Sequence, residues 1–442
     1  MHKELLSLPA ALLLAGLACA QGSLWVDAAN GSDLNPGTHA KPFKSISTGV
    51  KALSRGDTLY IAAGQYSASK TGEAFPIDIT QTDVRLFGLG GADTTVLDGE
   101  NLPTAMMRFQ PGATNVKLFG LALVGGLATP NWWDYAIQID KAAVRIEIAG
   151  CRFSRINRGI LVWGDTANPG VQRHKLHSNL FVQCYNDCIN LFQPTATLCF
   201  NNTCYNTLHL GILVAGDNNN SQVFNNLLVK CREGITSDNN PPTTLIENNN
   251  CFNNGTNYRC PHYPAGVPAS NLQIDPQFTD EAKADFTLKA TSPMIGAGYM
   301  QTVAHYYAPD YDSAARLFDF DADGTAKVDI GCYEVQDAYT SYSGTFAAGQ
   351  VVTIKQHGPI GYLALVLFAL DVPGAALQPY GTILLDPFTL LPFQMLGSAT
   401  ASTPLSIPNN PALSGGIRLY FQTLFFNSVP VFKAGNLQLG VL

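Results

Sequence analysis

The chain has 442 residues, with charged residues at 13%, hydrophobic residues at 46% and 40 glycines. A charged fraction this far below the usual quarter, with so much Gly and apolar content, excludes a disordered chain and suits turn-rich β structure. The net charge of −7, with no basic stripe in the sequence to neutralise phosphates, excludes nucleic acid as the expected partner.

The first twenty residues read as a signal peptide. Lys3 precedes the apolar run Leu5 to Leu17, and Ala18-Cys19-Ala20 forms a small-residue cleavage site before Gln21. This predicts a secreted or cell-surface protein cleaved near Ala20. A lipoprotein reading would acylate Cys19, but Gly16-Leu17-Ala18-Cys19 is a poor match to that pattern. The run Gly361 to Leu370 is too short to span a bilayer and ends at Asp371, so no transmembrane segment is predicted. Nine cysteines remain after cleavage, an odd count without a CxxC pair, which argues against zinc. Cys251 and Cys260 bracket a short loop and form the best candidate disulfide. The alternative is that most cysteines are small buried hydrophobes.

A strand at Leu24-Trp25-Val26-Asp27 leads into the turn cluster Asn30-Gly31-Ser32-Asp33 and Asn35-Pro36-Gly37-Thr38. Then come Lys41-Pro42-Phe43-Lys44-Ser45-Ile46, a short amphipathic helix over Ser45 to Leu53, and Gly56-Asp57-Thr58-Leu59-Tyr60-Ile61-Ala62-Ala63-Gly64-Gln65-Tyr66. Such a helix can cap the open end of a solenoid, whose first coil would otherwise expose its apolar interior. This stretch resembles the opening of right-handed parallel β-helix proteins of the pectate-lyase superfamily, among them polysaccharide lyase family nine and a related domain family of unknown function.

Irregular coils follow to about residue 140, in Val84-Arg85-Leu86-Phe87, Thr95-Val96-Leu97-Asp98, Val116 to Leu121 and Ala136 to Ile139. Between Arg145 and Asn254 a repeat of about 23 or 24 residues appears, anchored by Ser178-Asn179, Asn201-Asn202, Asn225-Asn226 and Asn249-Asn250. Each anchor but the last precedes a β-prone run: Ile189 to Phe192, Gly211 to Val214 and Gly234 to Thr236. A fixed period in the twenties with strands and no helices indicates a solenoid, and the stacked Asn side chains are expected to satisfy backbone groups at its turns. From 260 to 335 the register fades, and Ser292 to Gly298 with Val328 to Glu334 resemble the closing segment of such helices in secreted bacterial proteins.

From Ser343 to Leu442 only five residues are charged, and strand-like runs recur between Pro, Gly and Asn turns. This predicts a β-sandwich over 339–442. Ile407 to Leu413 with Leu419-Tyr420-Phe421-Gln422 resemble a C-terminal domain of exported planctomycete-type proteins, and so few charges suggest adhesion or surface attachment. The expected fold is thus all-β, a right-handed parallel β-helix over 21–338 with an N-terminal capping helix, followed by a C-terminal β-sandwich.

Aligning the coils stacks Ile137, Ile160, Ile189, Ile212 and Ile235 inward. The flanking columns then face out: Tyr135, Arg158, Asp187, Leu210, Glu233; Gln138, Leu161, Asn190, Leu213, Thr236; and Asp140, Trp163, Phe192, Ala215, Asp238. An aromatic face at Trp163 and Phe192 beside the polar groups of Tyr135, Asn190 and Asp238 suits a sugar, and Trp132-Trp133 could wall it. A polysaccharide, in one form containing uronic acid, is therefore the expected partner. The resemblance implies β-elimination, in which calcium neutralises the uronate carboxylate and a Lys or Arg takes the α-proton. Asp187, Glu233 and Asp238, with Asp165 and Asp217 on the turns, are the candidate carboxylates. Lys230, Arg158, Arg232 or Lys175 is the candidate base. Family-nine lyases carry two sequence-adjacent aspartates, and these coils contain no such pair. A hydrolase on the same scaffold would pair Asp187 with Glu233 or Asp238. A non-catalytic reading makes the helix a rigid spacer, with Arg158 and Asp187 an exposed ion pair of under ~1 kcal/mol.

Asp319-Phe320-Asp321-Ala322-Asp323-Gly324 resembles a calcium loop, which Asp329 or Glu334 would complete. It is not an EF-hand, because its twelfth position is Ile330 and no helix flanks it. The alternative is an acidic turn. His174, His177 and His209 lack metal spacing and read as ordinary surface or turn residues.

Overall fold

The computed structural model describes residues 22–101, 105–125 and 135–335, apart from 194, 218, 241, 264, 300–309, 313–315 and 317–326; beyond 335 it describes only the strand backbones from 339 onward. The expected signal peptide, Trp132-Trp133 and Asp319, Asp321 and Asp323 lie outside the described residues.

A single coil sets the pattern. Arg158–Trp163 belongs to a first sheet, Lys175–His177 to a second and Leu180–Val182 to a third, and the next coil begins at Ile189–Phe192. Every strand of this coil pairs in parallel with its equivalent one coil away. Among the described residues the three sheets hold 8, 9 and 8 strands, from Ser23–Val26 at one end to Thr256–Arg259 at the other. The chain is a right-handed parallel β-helix. The sequence pattern marks one strand per coil where the structure has three. Strands of three residues, such as Lys175–His177, are too short for an alternation to register.

Inside, one column is Ile137, Ile160, Ile189, Ile212 and Ile235, each with no solvent exposure. Another is Phe153, Phe181, Cys204, Leu228 and Cys251, in which the two rings stack at 4.5 Å. All nine described cysteines are free thiols and eight are buried. The Cys251–Cys260 disulfide is not formed, because Cys251 stacks against Leu228 as an interior space-filler.

The Asn pairs divide their labour. Ser178, Asn201, Asn225 and Asn248 take left-handed φ values of 54°, 50°, 55° and 50°, and so turn the chain from the second sheet to the third. The next residue forms the ladder. Asn179 Nδ2 donates to Asn202 Oδ1 (3.0 Å), Asn202 to Asn226 (2.9 Å), Asn226 to Asn249 (2.9 Å) and Asn249 to Asn271 (3.0 Å). Each Nδ2 also donates to a carbonyl of an earlier coil, as Asn226 does to Cys199 (2.9 Å). Asn271, which stands outside the Asn-pair pattern of the sequence, supplies the last rung.

The helix Ile46–Ala52 covers the first coil. Ser45 caps it, and the buried carboxylate of Glu73 accepts from the amides of Ile46 (2.6 Å) and Ser47 (2.9 Å). Gly49 packs so closely on Val26 and Leu59 that a Cβ would lie 2.8 Å from either side chain. At the other end, Phe278, Phe286, Leu288, Met294, Ile330 and Cys332 pack on Leu180, Val182, Leu227 and Val229 of the third sheet. Beyond this segment, strands from Tyr339–Ser343 to Gln438–Val441 pair antiparallel. No helix among the described residues is long and apolar enough to cross a membrane.

His174 is wholly buried. Its Nδ1 accepts from the Ile146 amide at 3.1 Å, and burial lowers its pKa to about 3. The unfolded chain takes up this proton below about pH 6.5 while the folded chain does not, so the group costs up to about 1.4 kcal/mol per pH unit as pH falls toward 3. Asp329, raised to about 7 by burial, acts in the opposite direction. His174→Asn keeps an acceptor near the Nδ1 position. Urea melts of the variant and the parent should therefore diverge as pH drops from 6 to 4, with the variant the less acid-sensitive; parallel curves would remove this assignment.

Candidate functional site

The site lies on the outer face of the first sheet. Residues at alternate positions of a strand share a face, so the inward Ile columns force their neighbours outward. The register brings Tyr135 beside Arg158, Leu161 beside Asn190, and Trp163 beside Phe192. Three expected columns are therefore in place.

The burial of these columns differs from the expectation of an exposed ion pair. The side chains of Arg158 and Asp187 are only 2% and 6% exposed, with Arg158 Nε 3.2 Å from Asp187 Oδ2. Arg158 also lies over the Tyr135 ring, at 5.6 Å from its centroid. Asn190 Nδ2 donates to the Tyr135 hydroxyl (2.6 Å) and to Asp187 Oδ2 (3.1 Å), while its Oδ1 is buried without a hydrogen-bond partner. This is a buried polar network, in which removing one charge strands the other.

Asp187 Oδ1 accepts from His209 Nδ1 at 2.6 Å and from the Leu210 amide at 3.2 Å. Burial pushes the Asp187 carboxyl up, but the bonds from His209 and Asn190 and the charges of His209 and Arg158 outweigh it and hold the group below its ordinary value. An ionised carboxylate only accepts, so His209 donates from Nδ1 to Asp187, and Nε2 takes no part in this bond. The His209 side chain is 33% exposed. It lies in the bend just before the strand Leu210–Ala215, as expected of a surface or turn residue, and in addition bonds Asp187. His209 is 22 residues from Asp187, one short of the repeat, and so stands diagonally across from it rather than in its column. That offset is the signal that could have found it.

Glu233 stands one coil further on. It accepts from Thr236 Oγ1 (2.8 Å) and Arg259 Nε (2.9 Å), and Arg259 also reaches Asp238 (3.3 Å). Burial raises the Glu233 carboxyl, and the bonds from Thr236 and Arg259 overcome this and leave it lowered. Trp163 and Phe192 meet edge to face at 5.2 Å at the far end of their strands. Tyr185 and Leu208, exposed at 41% and 63%, precede Asp187 and His209 at the near end. The face thus has apolar groups at both ends and acid–base groups between them.

Two expected site residues stand elsewhere. Lys230 has a left-handed φ of 57°, which turns it onto the third-sheet side, where its Nζ bonds Glu281 and the Tyr205 hydroxyl (3.0 Å). Asp329, the fourth expected calcium ligand, is buried, and its two carboxylate oxygens accept from the amides of Gly296 and Val335, both at 2.7 Å. Glu334 is buried beside Arg316 and bonds the Asp329 amide. Among the described residues no group of three or more His, Cys, Asp or Glu is arranged to hold a metal ion.

The family description of a right-handed β-helix region matches residues 129–268. No curated protein matches the chain. Among solved structures, a rhamnogalacturonan lyase is 15% identical over 57% of this chain and 61% of that one, with a TM-score of 0.34. The chain thus spans less than two thirds of that enzyme. The pectate lyase Pel9A is 12% identical over 72% of this chain and 98% of that one, with a TM-score of 0.37. Tailspike protein gp49 from the Acinetobacter baumannii bacteriophage Fri1, described as a capsular polysaccharide depolymerase, is 9% identical over 87% and 76%, with a TM-score of 0.27.

Proposed function

We propose that this chain is a carbohydrate-active β-helix protein that holds a polysaccharide across its first sheet and cleaves it by β-elimination, with His209 as the base. The observation that carries this reading is the Asp187–His209 pair, a one-third exposed imidazole oriented by a buried carboxylate. In such a reaction His209 Nε2 takes the proton α to a uronate carboxyl. The C–O bond to the leaving sugar breaks with its electron pair, a C=C bond forms, and the leaving oxygen regains a proton from the imidazolium. Calcium brought with the substrate would neutralise the carboxylate; the Asp319–Asp323 loop is proposed as a separate, structural calcium site. Asp187 itself has both oxygens occupied by four protein donors, which disfavours a hydrolase that uses it as acid or nucleophile. An exported location and surface attachment through the C-terminal strands accompany this reading.

The test is a panel of neutral and acidic polysaccharides with and without calcium. An ultraviolet-absorbing unsaturated product supports elimination. Reducing ends without that absorbance would indicate hydrolysis, and neither signal across the panel would leave the chain as a binding or spacer protein. Trp163→Ala should weaken retention on a glycan column by about 1 kcal/mol, the usual worth of an aromatic ring packed at a surface; unchanged retention would remove Trp163 and Phe192 as the platform.

A further inference from the structure

A second groove lies around the corner from this site, on the outer face of the second sheet, with a volume of about 510 Å³. Its lining includes Lys117, Arg145, Arg173 and Lys175, with the single carboxylate Glu147. Lys117, Glu147 and Lys175 fall in one register column of three successive coils, and Arg145 and Arg173 stand two residues before the last two of them. The spatial cluster corrects the impression from the sequence that no basic stripe exists. These residues are far apart in the chain, and only the coil register brings them together.

Glu147 pairs with Lys117 and leaves Arg145, Arg173 and Lys175 to charge the groove. Its carboxylate is held by Lys117 Nζ (2.8 Å) and His177 Nε2 (3.2 Å). Burial would raise its pKa, but His177 and Lys117 hold it well below the ordinary range, so it is an occupied anion. Among the described residues the side chains of Arg145, Arg173 and Lys175 make no hydrogen bond or ion pair, although Asp83, bonded to Arg55 and Asn115, feels the charge of Arg145. A second observation concerns the backbone. Arg145 and Arg173 have left-handed φ values of 53° and 48°, at a turn position where the preceding coils carry Asp83 and Asn115. The next coil carries Ala196 at the same position with a φ of 47°, so the left-handed turn belongs to the coil and places both arginines side by side on successive coils. Asn115, Asn220 and Gln222 add amides that can bond hydroxyl groups.

We propose that this groove is a second binding site, separate from the first sheet, that takes an acidic polysaccharide with its carboxylate or sulfate groups on Arg145, Arg173 and Lys175. Cations on adjacent coils, about 4.8 Å apart, match a polymer that carries its charges at short regular intervals. A single-stranded nucleic acid fits less well. Among the described residues no aromatic side chain lines the groove to stack a base, and the chain as a whole is acidic.

The test uses the full chain and measures equilibrium retention by affinity electrophoresis, a readout independent of turnover. The probes are polygalacturonate, dextran sulfate, neutral dextran and an oligothymidylate. The expected result is salt-sensitive retention by at least one acidic glycan and none by neutral dextran. The Arg145→Glu/Arg173→Glu variant should bind about tenfold or more weakly, at an unchanged melting midpoint. The milder Arg145→Gln/Arg173→Gln variant should fall between it and the parent, which guards against a folding defect. The carboxylated and sulfated probes distinguish the two sources of anion. Retention of neither acidic glycan, undiminished binding by both variants, or equal affinity for the oligothymidylate would each overturn the proposal. Because His209→Ala should leave this retention intact, failure of the proposed elimination and failure of the groove are separable.

Discussion

Replacement of His209 by Ala is expected to lower turnover of the cleaved glycan by about 10²- to 10⁴-fold, the usual contribution of a positioned general base. The loss should fall in kcat more than in KM, since His209 meets the proton being transferred rather than the bulk of the sugar. Asp187 keeps its bonds from Arg158, Asn190 and the Leu210 amide, so the variant should still fold, with a lowered melting midpoint, and turnover is compared well below that midpoint. Asp187→Asn tests the same geometry from behind. A carboxamide can donate to Nδ1, which would shift the ring proton to Nε2 and block proton abstraction, with a loss of similar size. Asp187 has a lowered pKa, so its contribution to stability is complete above the unfolded value near 3.9 and disappears as pH falls through the folded one. The orienting bond therefore persists through mildly acidic conditions. Full activity in His209→Ala would sink the assignment and turn attention to Glu233, for which Glu233→Gln is the corresponding variant.

The extent to which this site can be read from the sequence follows from what a repeat encodes. Ile160, Ile189 and Ile212 recur because every coil needs the same interior, and Asn202, Asn226 and Asn249 recur because every turn strands the same backbone groups. Those columns give the fold and, through alternation, the outward positions of Tyr135, Arg158 and Asn190. Alternation says which face a side chain leaves from, but not how deeply it is then covered, so the burial of Arg158 and Asp187 is not legible. His209 escapes the pattern because it stands just before a strand and pairs diagonally. Lys230 looks close to Glu233 because only two residues separate them, yet a left-handed turn at Lys230 sends it to another sheet. The basic groove is hidden for a third reason. The coils that carry Lys117, Glu147 and Lys175 are longer than the regular repeat, since the connection from the third sheet to the first lengthens before Tyr135 and the connection from the first sheet to the second lengthens after Trp163.

The largest loss of stability is expected from Asn226→Ala, about 3–5 kcal/mol on the scale of several buried polar groups left unmatched. Asn226 Oδ1 accepts from the Asn202 amide (3.0 Å) and from Asn202 Nδ2 (2.9 Å). Its Nδ2 donates to the carbonyls of Cys199 (2.9 Å) and Phe224 (3.0 Å) and to Asn249 Oδ1 (2.9 Å). Alanine removes five bonds and leaves no room for bulk water, because Asn202, Asn226 and Asn249 all have zero exposure. Each buried donor or acceptor left unmatched costs about 1–3 kcal/mol, and the Asn202 amide and the Cys199 carbonyl have the poorest prospects of a new partner. Asn271→Ala provides the comparison. It ends the same ladder with similar bonds to Asn249 and to the carbonyl of Ile246 (2.7 Å), but it is only half-buried, so water can take its place and the cost should be about 1 kcal/mol. Urea unfolding of the two variants under one condition decides the matter. Equal losses would mean that burial of the rungs does not govern their worth, and a loss below about 1 kcal/mol for Asn226→Ala would mean that the ladder accompanies the coil stack without holding it together.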